Sequence, residues 1–272
     1  MAKTISGLFH ARTGRIKAVV RKPRHVRGGV VLLHGLCVDR DEFDNMYVDL
    51  AAALADADIA SARFDFAGHG GRRKKWKHFS IVDQFDETVA AVDWLSREFD
   101  FRPHRIRICG TSFGAPPAIF AARAKNDVVD RIALISPVLD YRATFIDPVC
   151  QWGRDNFGPE AIRAAKADGR LMVDDQQPLP PRLFDEMELI DPLDALSRLA
   201  AQTLIIHGAS DSMVPVGPAR EAASYQNVDY VEEKEMDHGP FHREDEAGDS
   251  KKSASLRKTI IRKVTEHLAW GL

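Results

Sequence analysis

Arg105-Ile106-Arg107-Ile108-Cys109-Gly110-Thr111-Ser112-Phe113-Gly114 is the stretch on which the reading of this chain turns. Residues 105–109 read as a short strand, and the alanine-rich run 115–125 reads as a helix. A Gly-x-Ser-x-Gly turn between a strand and a helix is a nucleophile elbow: the chain bends so sharply that the serine hydroxyl stands out from it. Glycine on either side removes the Cβ atoms that would collide in so tight a bend. Five residues alone match many ordinary turns; the strand before and the helix after are what make Ser112 a candidate nucleophile.

Outward from the elbow the same alternation repeats. Apolar runs at 30–33, 60–66, 131–135, 203–206 and 228–232 read as strands, several of them ending in glycine or aspartate. Segments 43–56, 82–99, 115–125, 218–224 and 253–270 have helical character. Strands alternating with helices predict an α/β fold, a mostly parallel central sheet with helices on both faces. Ligands in such folds bind beyond the carboxyl ends of the strands. One interval breaks the rhythm: residues 139–192 hold aromatics, prolines and charges but no convincing strand. A structureless loop of that length is unusual in a compact domain. We therefore expect residues 1–138 and 193–272 to form the core and 139–192 a helical insertion, a lid or cap, over the strand ends. Phe145, Trp152 and Phe157 are its candidates to line a substrate pocket.

Composition narrows the function. The chain has 272 residues, enough for a large packed core, and its 38 basic and 40 acidic residues leave a net charge of −2. That balance offers nothing to nucleic acid or an anionic membrane. The basic run Arg72-Arg73-Lys74-Lys75-Trp76-Lys77-His78 is too short to change this and reads as a solvated loop. No stretch approaches the roughly 20 apolar residues of a membrane span, and the first residues lack the apolar core of a signal peptide. Three cysteines, Cys37, Cys109 and Cys150, do not form a disulfide framework and fit a reducing cytoplasm. The expectation for Cys37 is an inert buried thiol.

A serine hydroxyl needs a base to take its proton and a third group to hold that base. The chain supplies both, in the order Ser, Asp, His. Asp211 follows the strand at 203–206, and His238 follows the last strand, in Met236-Asp237-His238-Gly239. Ser112 would attack a carbonyl, His238 would carry the proton, and Asp211 would orient the imidazole. Asp140, just beyond Ser136-Pro137, is an alternative source of the carboxylate. Acyl transfer also needs N–H donors for an oxyanion: Phe113, next after the nucleophile, and Leu36, after His34-Gly35, are the candidates. His34 reads as a structural hydrogen-bonding residue. The histidines show no convergent ligand spacing, so no metal is expected, and the nearby pair His238 and His242 is better explained by catalysis. No cofactor is implied.

With these residues in hand, the chain resembles serine hydrolases of the α/β-hydrolase superfamily. The resemblance rests on Leu33-His34-Gly35-Leu36, Arg63-Phe64-Asp65-Phe66-Ala67-Gly68-His69-Gly70, the elbow, the Asp211 segment and Asp237-His238-Gly239. It is similar to small cinnamoyl or feruloyl esterases and monoacylglycerol lipases. The resemblance implies an esterase acting on a small or medium acyl ester, and a structural turn at Asp65 and His69. A thioesterase, an acyltransferase or a cyclase would use the same acyl-enzyme. A binding protein that keeps the fold without turnover is the alternative from a different class. An acyl-carrier partner and a homodimer both stay open. Two features depart from the pattern: Ala115-Pro116-Pro117 after the elbow, and Arg107 in a strand that should be buried, for which the sequence supplies no partner.

Overall fold

The sheet is built by strands that alternate faces residue by residue. In the computed structural model, which describes residues 1–101, 103–245 and 248–272, the chain runs β1 (Lys3–Ala11), β2 (Gly14–Lys22), β3 (Gly28–Leu33), α1 (Met46–Asp56), β4 (Ile59–Phe64), α2 (Ile81–Glu98), β5 (Ile106–Thr111), α3 (Ala115–Ala124) and β6 (Val129–Ile135). It continues through α4 (Gln151–Asn156), α5 (Pro159–Asp168), β7 (Leu171–Val173), β8 (Gln177–Leu179), α6 (Arg182–Leu189), α7 (Pro192–Ser197), β9 (Gln202–Gly208), α8 (Gly217–Ala222), β10 (Val228–Glu233) and α9 (Lys251–Ala269). Eight strands among the described residues form one sheet in the order β1-β2-β4-β3-β5-β6-β9-β10. From β4 to β10 the pairing is parallel; β1 with β2, and β2 with β4, are antiparallel.

Val31 and Leu33 face the core under α2 and α3, whereas Val30 and Leu32 face the core under α1 and α9. Both faces are therefore covered, which is what lets a strand such as β3 carry apolar side chains on both sides. Among the described residues no helix is long and apolar enough to cross a membrane. The chain steps from β3 to β4 on one side and then returns to place β5 on the other side of β3. The loops after β3 and β5 thus diverge and open a crevice at the strand ends.

Three expectations need correction. The β1–β2 hairpin is absent from the sequence reading, although Ile16, Ala18 and Val20 alternate and are all buried. The interval 139–192 is largely helical but also contains the short antiparallel ribbon β7–β8. The run 72–78 is solvated at Arg73, Lys74, Lys77 and His78 but is a 3-10 helical segment rather than a loop, and it is anchored: Arg72 pairs with the fully buried Glu87, Arg73 donates to the Gln176 carbonyl, and Lys75 to that of Thr13. Of these acceptors the Glu87 carboxylate is the fully buried one, and a charge count does not reveal it.

Arg107 has its partner. Opposite Arg107 the β5–β6 register shifts, Ile106 facing Val129 and Ile108 facing Ile132, so β6 carries one extra residue there. Asp130 lies in that bulge, and its carboxylate accepts from Arg107 Nε at 3.2 Å. Arg107 Nη1 donates to the carbonyl of Leu268 in the last turn of α9, one of the carbonyls a helix end leaves without an internal partner. A guanidinium only 1% exposed is in this way hydrogen-bonded at both ends.

Candidate active site

At the end of β5, Ser112 takes φ 52°, a left-handed conformation that a residue with a Cβ adopts at a cost. The surroundings enforce it. A Cβ on Gly114 would stand 2.2 Å from the Leu33 carbonyl oxygen, and one on Gly110 2.4 Å from the Gly114 oxygen, so neither position admits a side chain. Pro116 and Pro117 occupy the first turn of α3, where their missing N–H groups leave no bond unmade. Tyr47 Oη donates to the Leu33 carbonyl at 2.8 Å and lies 2.7 Å from Thr111 Oγ1, which locks β3 and β5 together beneath the elbow.

His238 and Asp211 reach Ser112 from the loops after β10 and β9. Ser112 Oγ is 3.0 Å from His238 Nε2, and His238 Nδ1 is 2.9 Å from Asp211 Oδ2. The Asp211 side chain is fully buried, and its Oδ1 accepts the N–H groups of Met213 at 3.0 Å and Val214 at 2.8 Å. Its Oδ2 is also 3.1 Å from Nε2 of His207, a second buried histidine. Burial works against charge on Asp211, but the two histidines and these hydrogen bonds hold its carboxyl well below the usual range. Burial likewise opposes charge on His238, yet the facing Asp211 carries its pKa above the ordinary histidine value. Asp237 points away: its Oδ1 accepts from Ser212 N at 2.8 Å and joins the two loops. Asp140 is elsewhere, its Oδ1 accepting from Ala143 N at 2.9 Å.

The turn after β3 completes the crevice. His34 Nε2 accepts from Phe66 N at 3.0 Å, so its Nδ1 carries the proton and donates to the Gly35 carbonyl at 2.7 Å. Burial lowers the His34 pKa to about 4, which keeps the ring neutral. The Gly35 carbonyl and the Leu36 N–H belong to one trans peptide and point in opposite directions. Fixing the carbonyl therefore fixes the N–H. Phe113 is packed beneath the elbow against Phe79, Tyr141 and Phe145.

Ser112 and His238 open into a cavity of about 260 Å³, whose walls include Leu36, Phe43, Phe145, Trp152, Met213 and Phe241. Of the three aromatics expected to line it, Phe145 and Trp152 do. Phe157 is buried behind them, its ring centroid 4.9 Å from that of Phe145 and 5.3 Å from that of Trp152. It was reached by the same aromatic pattern, but its ring faces the protein. Cys37 stands on the cavity wall and is exposed, not buried as expected, yet desolvation pushes its thiol up to about 12 and keeps it protonated. His242 stands apart from Ser112, 3.7 Å from Glu235 and 3.9 Å from Glu244. A more open groove of about 750 Å³, between Trp76 and Arg170, is lined by none of these groups.

Beyond the apolar wall residues Phe43, Met213 and Phe241, two ionisable residues of the site are missing from the sequence reading. Glu42 lines the cavity and accepts from Gly35 N at 2.8 Å; nothing in its local pattern marks it. His207 had a signal, since β9 ends in His-Gly just as the strand before Leu36 does.

Comparison with known proteins agrees with this architecture. The family model described as "Alpha/beta hydrolase family" matches residues 30–248. The uncharacterized protein Rv2307c of Mycobacterium tuberculosis is 26% identical over 219 residues, 67% of this chain and 74% of that protein. Est1E from Butyrivibrio proteoclasticus, solved with ferulic acid bound, superposes with a TM-score of 0.72 at 19% identity, over 94% of this chain and 96% of that one. The monoacylglycerol lipase of Paleococcus ferrophilus superposes with a TM-score of 0.64 at 19% identity, over 93% and 99%. These structures share the fold; the matched family model covers the parallel strands from Val30 onward, the elbow and both loops that meet at Ser112, and the chain belongs to the alpha/beta hydrolase family.

Proposed function

We propose that this protein is a serine hydrolase that cleaves carboxylic esters of small or medium acyl substrates through an acyl-enzyme on Ser112. The observation that carries the reading is the continuous chain from Ser112 Oγ through His238 to Asp211, with spacings of 3.0 and 2.9 Å, at the wall of an apolar cavity. Ser112 Oγ attacks the ester carbon while its proton passes to His238 Nε2. The carbonyl oxygen becomes an oxyanion facing the N–H groups of Leu36 and Phe113. Collapse breaks the carbon–oxygen bond, and His238 returns the proton to the departing alcohol. Water then repeats the sequence on the acyl-enzyme and releases the acid. Residues 139–192 act as the cap that selects the acyl group, with Phe145 and Trp152 as its contact surface. A cavity of about 260 Å³ falls just below the roughly 300–1,000 Å³ usual for ligand sites, which favours short acyl chains or one aromatic ring. The esterase and lipase that share the fold support ester chemistry.

The test is a fluorophosphonate label with mass mapping, beside p-nitrophenyl esters of increasing chain length. Modification at Ser112 with turnover that peaks at short chains is expected. A folded protein that is neither labelled at Ser112 nor active on any ester would refute the reading. Labelling without ester turnover would redirect the reading to thioesters, or to acyl transfer onto an acceptor other than water.

A further inference from the structure

Glu42 combines three features that ordinary packing does not explain. Its backbone sits at φ 62°, ψ 175°, a region occupied almost only by glycine. Its side chain uses both carboxylate oxygens on backbone donors, Oε2 on Gly35 N at 2.8 Å and Oε1 on Phe43 N at 3.1 Å. And it lines the cavity that holds Ser112 and His238. Gly35 is itself close to the nucleophile: a Cβ there would stand 3.2 Å from Ser112 Cβ.

The two peptide planes of the Gly35 turn are held by different groups. His34 fixes the plane that carries the Leu36 N–H, through the Gly35 carbonyl. Glu42 fixes the preceding plane, through the Gly35 N–H. A carboxylate accepts on both oxygens with no proton to place; an amide offers one acceptor oxygen, and a protonated acid accepts more weakly on its hydroxyl and must find a partner for its own O–H. We infer that Glu42 is a positioning residue for the proposed Ser112 reaction, holding the Gly35–Leu36 turn so that Leu36 N–H faces the oxyanion, and doing so as the ionised carboxylate.

The charges around it fit this role. Glu42 is faced by His238, Asp39, Tyr47 and Cys109. Burial raises its pKa to about 7, so it ionises close to neutrality, and its charge in turn favours the protonated form of His238. Both groups must lose a proton for turnover, one to hold the turn and the other to act as base. A raised carboxyl pKa also makes ionised Glu42 a burden on the fold. The penalty is absent below the free-acid range near pH 4.5 and fully present above about pH 7.

This inference rests on the Ser112 reading, so labelling of wild type at Ser112, and its loss in Ser112→Ala, comes first and stands or falls separately. Glu42→Gly then keeps the backbone conformation and deletes the carboxylate; Glu42→Gln keeps the size. In Glu42→Gly a kcat at least tenfold lower is expected, with KM within threefold and a melting temperature at or above wild type. Its advantage in melting temperature over wild type should grow between pH 5 and pH 8. In Glu42→Gln the acid limb of kcat/KM should move to lower pH and lose one proton of steepness. A Glu42→Gly enzyme with wild-type kcat would overturn the inference. So would a loss of kcat in both variants with the acid limb unmoved, which would make Glu42 a structural cap only.

Discussion

Replacing Asp211 by asparagine tests the site most sharply, because the structure dictates how the new amide must sit. Oδ1 accepts from two backbone N–H groups, Met213 at 3.0 Å and Val214 at 2.8 Å. The amide oxygen has to take that position, since an NH2 there would face two donors. The NH2 is thereby directed to the Oδ2 side, toward His238 Nδ1 and His207 Nε2. His238 then has to present an unprotonated Nδ1 and carry its proton on Nε2, facing Ser112. In that tautomer it cannot accept the serine proton. Loss of the correct tautomer in a serine triad costs on the order of 10⁴ in kcat, about 5.4 kcal/mol at 1.36 kcal/mol per decade. Stability changes far less. His207 faces an NH2 in place of a carboxylate, and its other nitrogen, Nδ1, is buried without a partner to take a displaced proton; a loss of about 1–3 kcal/mol is expected, roughly 2–4 °C in melting temperature per kcal/mol in a chain of this size. The assay is p-nitrophenyl ester turnover on folded Asp211→Asn, with Asp140→Asn as control. Asp140 caps Ala143 alone, so its variant should retain wild-type kcat. An Asp211→Asn enzyme within tenfold of wild type, or loss of activity in Asp140→Asn, would refute the assignment.

Two further substitutions probe the support around the site. Arg107→Met matches the buried volume but leaves the Leu268 carbonyl without its donor, while the partly exposed Asp130 stays solvated; a loss of about 1–3 kcal/mol is expected, read by denaturant unfolding, with KM unchanged. The aromatics of the 139–192 stretch should separate. Phe157→Ala costs about 3–5 kcal/mol of stability, because the ring is buried behind the cavity. Trp152→Ala instead shifts the preferred ester chain length, with little change in melting temperature. Equal effects of the two on chain-length preference would mean that both rings face the substrate.

What the sequence showed and what it hid differ by the range of the interactions involved. The elbow was legible because its requirements are local: two glycines and a serine between a strand and a helix. Asp211 and His238 were legible because parallel strands deliver their following loops to one edge, so order along the chain becomes proximity in space. Choosing between Asp211 and Asp140 was not possible from order alone, as both follow strands; the pairing of β10 beside β9, with β6 one strand further away, brings Asp211 to His238. Glu42 was invisible because its role is to hold a backbone N–H seven residues away, through a conformation that no residue preference signals. Arg107 looked like an error in a buried strand until the bulge in β6 supplied Asp130. Phe157 and Trp152 look equivalent in sequence, and which one faces the cavity is decided by the packing of α4.

The antiparallel hairpin at the sheet edge bears on the order in which the molecule assembles. β1 and β2 are joined by a two-residue turn and register with each other along their whole length, from Lys3–Lys22 to Ala11–Gly14. Such a unit closes a short loop, and hairpins form in about 1–10 μs. Ser112, His238 and Asp211 come together only when β5, β9 and β10 have found their places across long intervening segments, and such distant pairings are slow to form. Refolding should accordingly show two clocks. Pulsed hydrogen exchange would report early protection of the β1–β2 amides, and ester turnover would return last, with the final joining of the sheet.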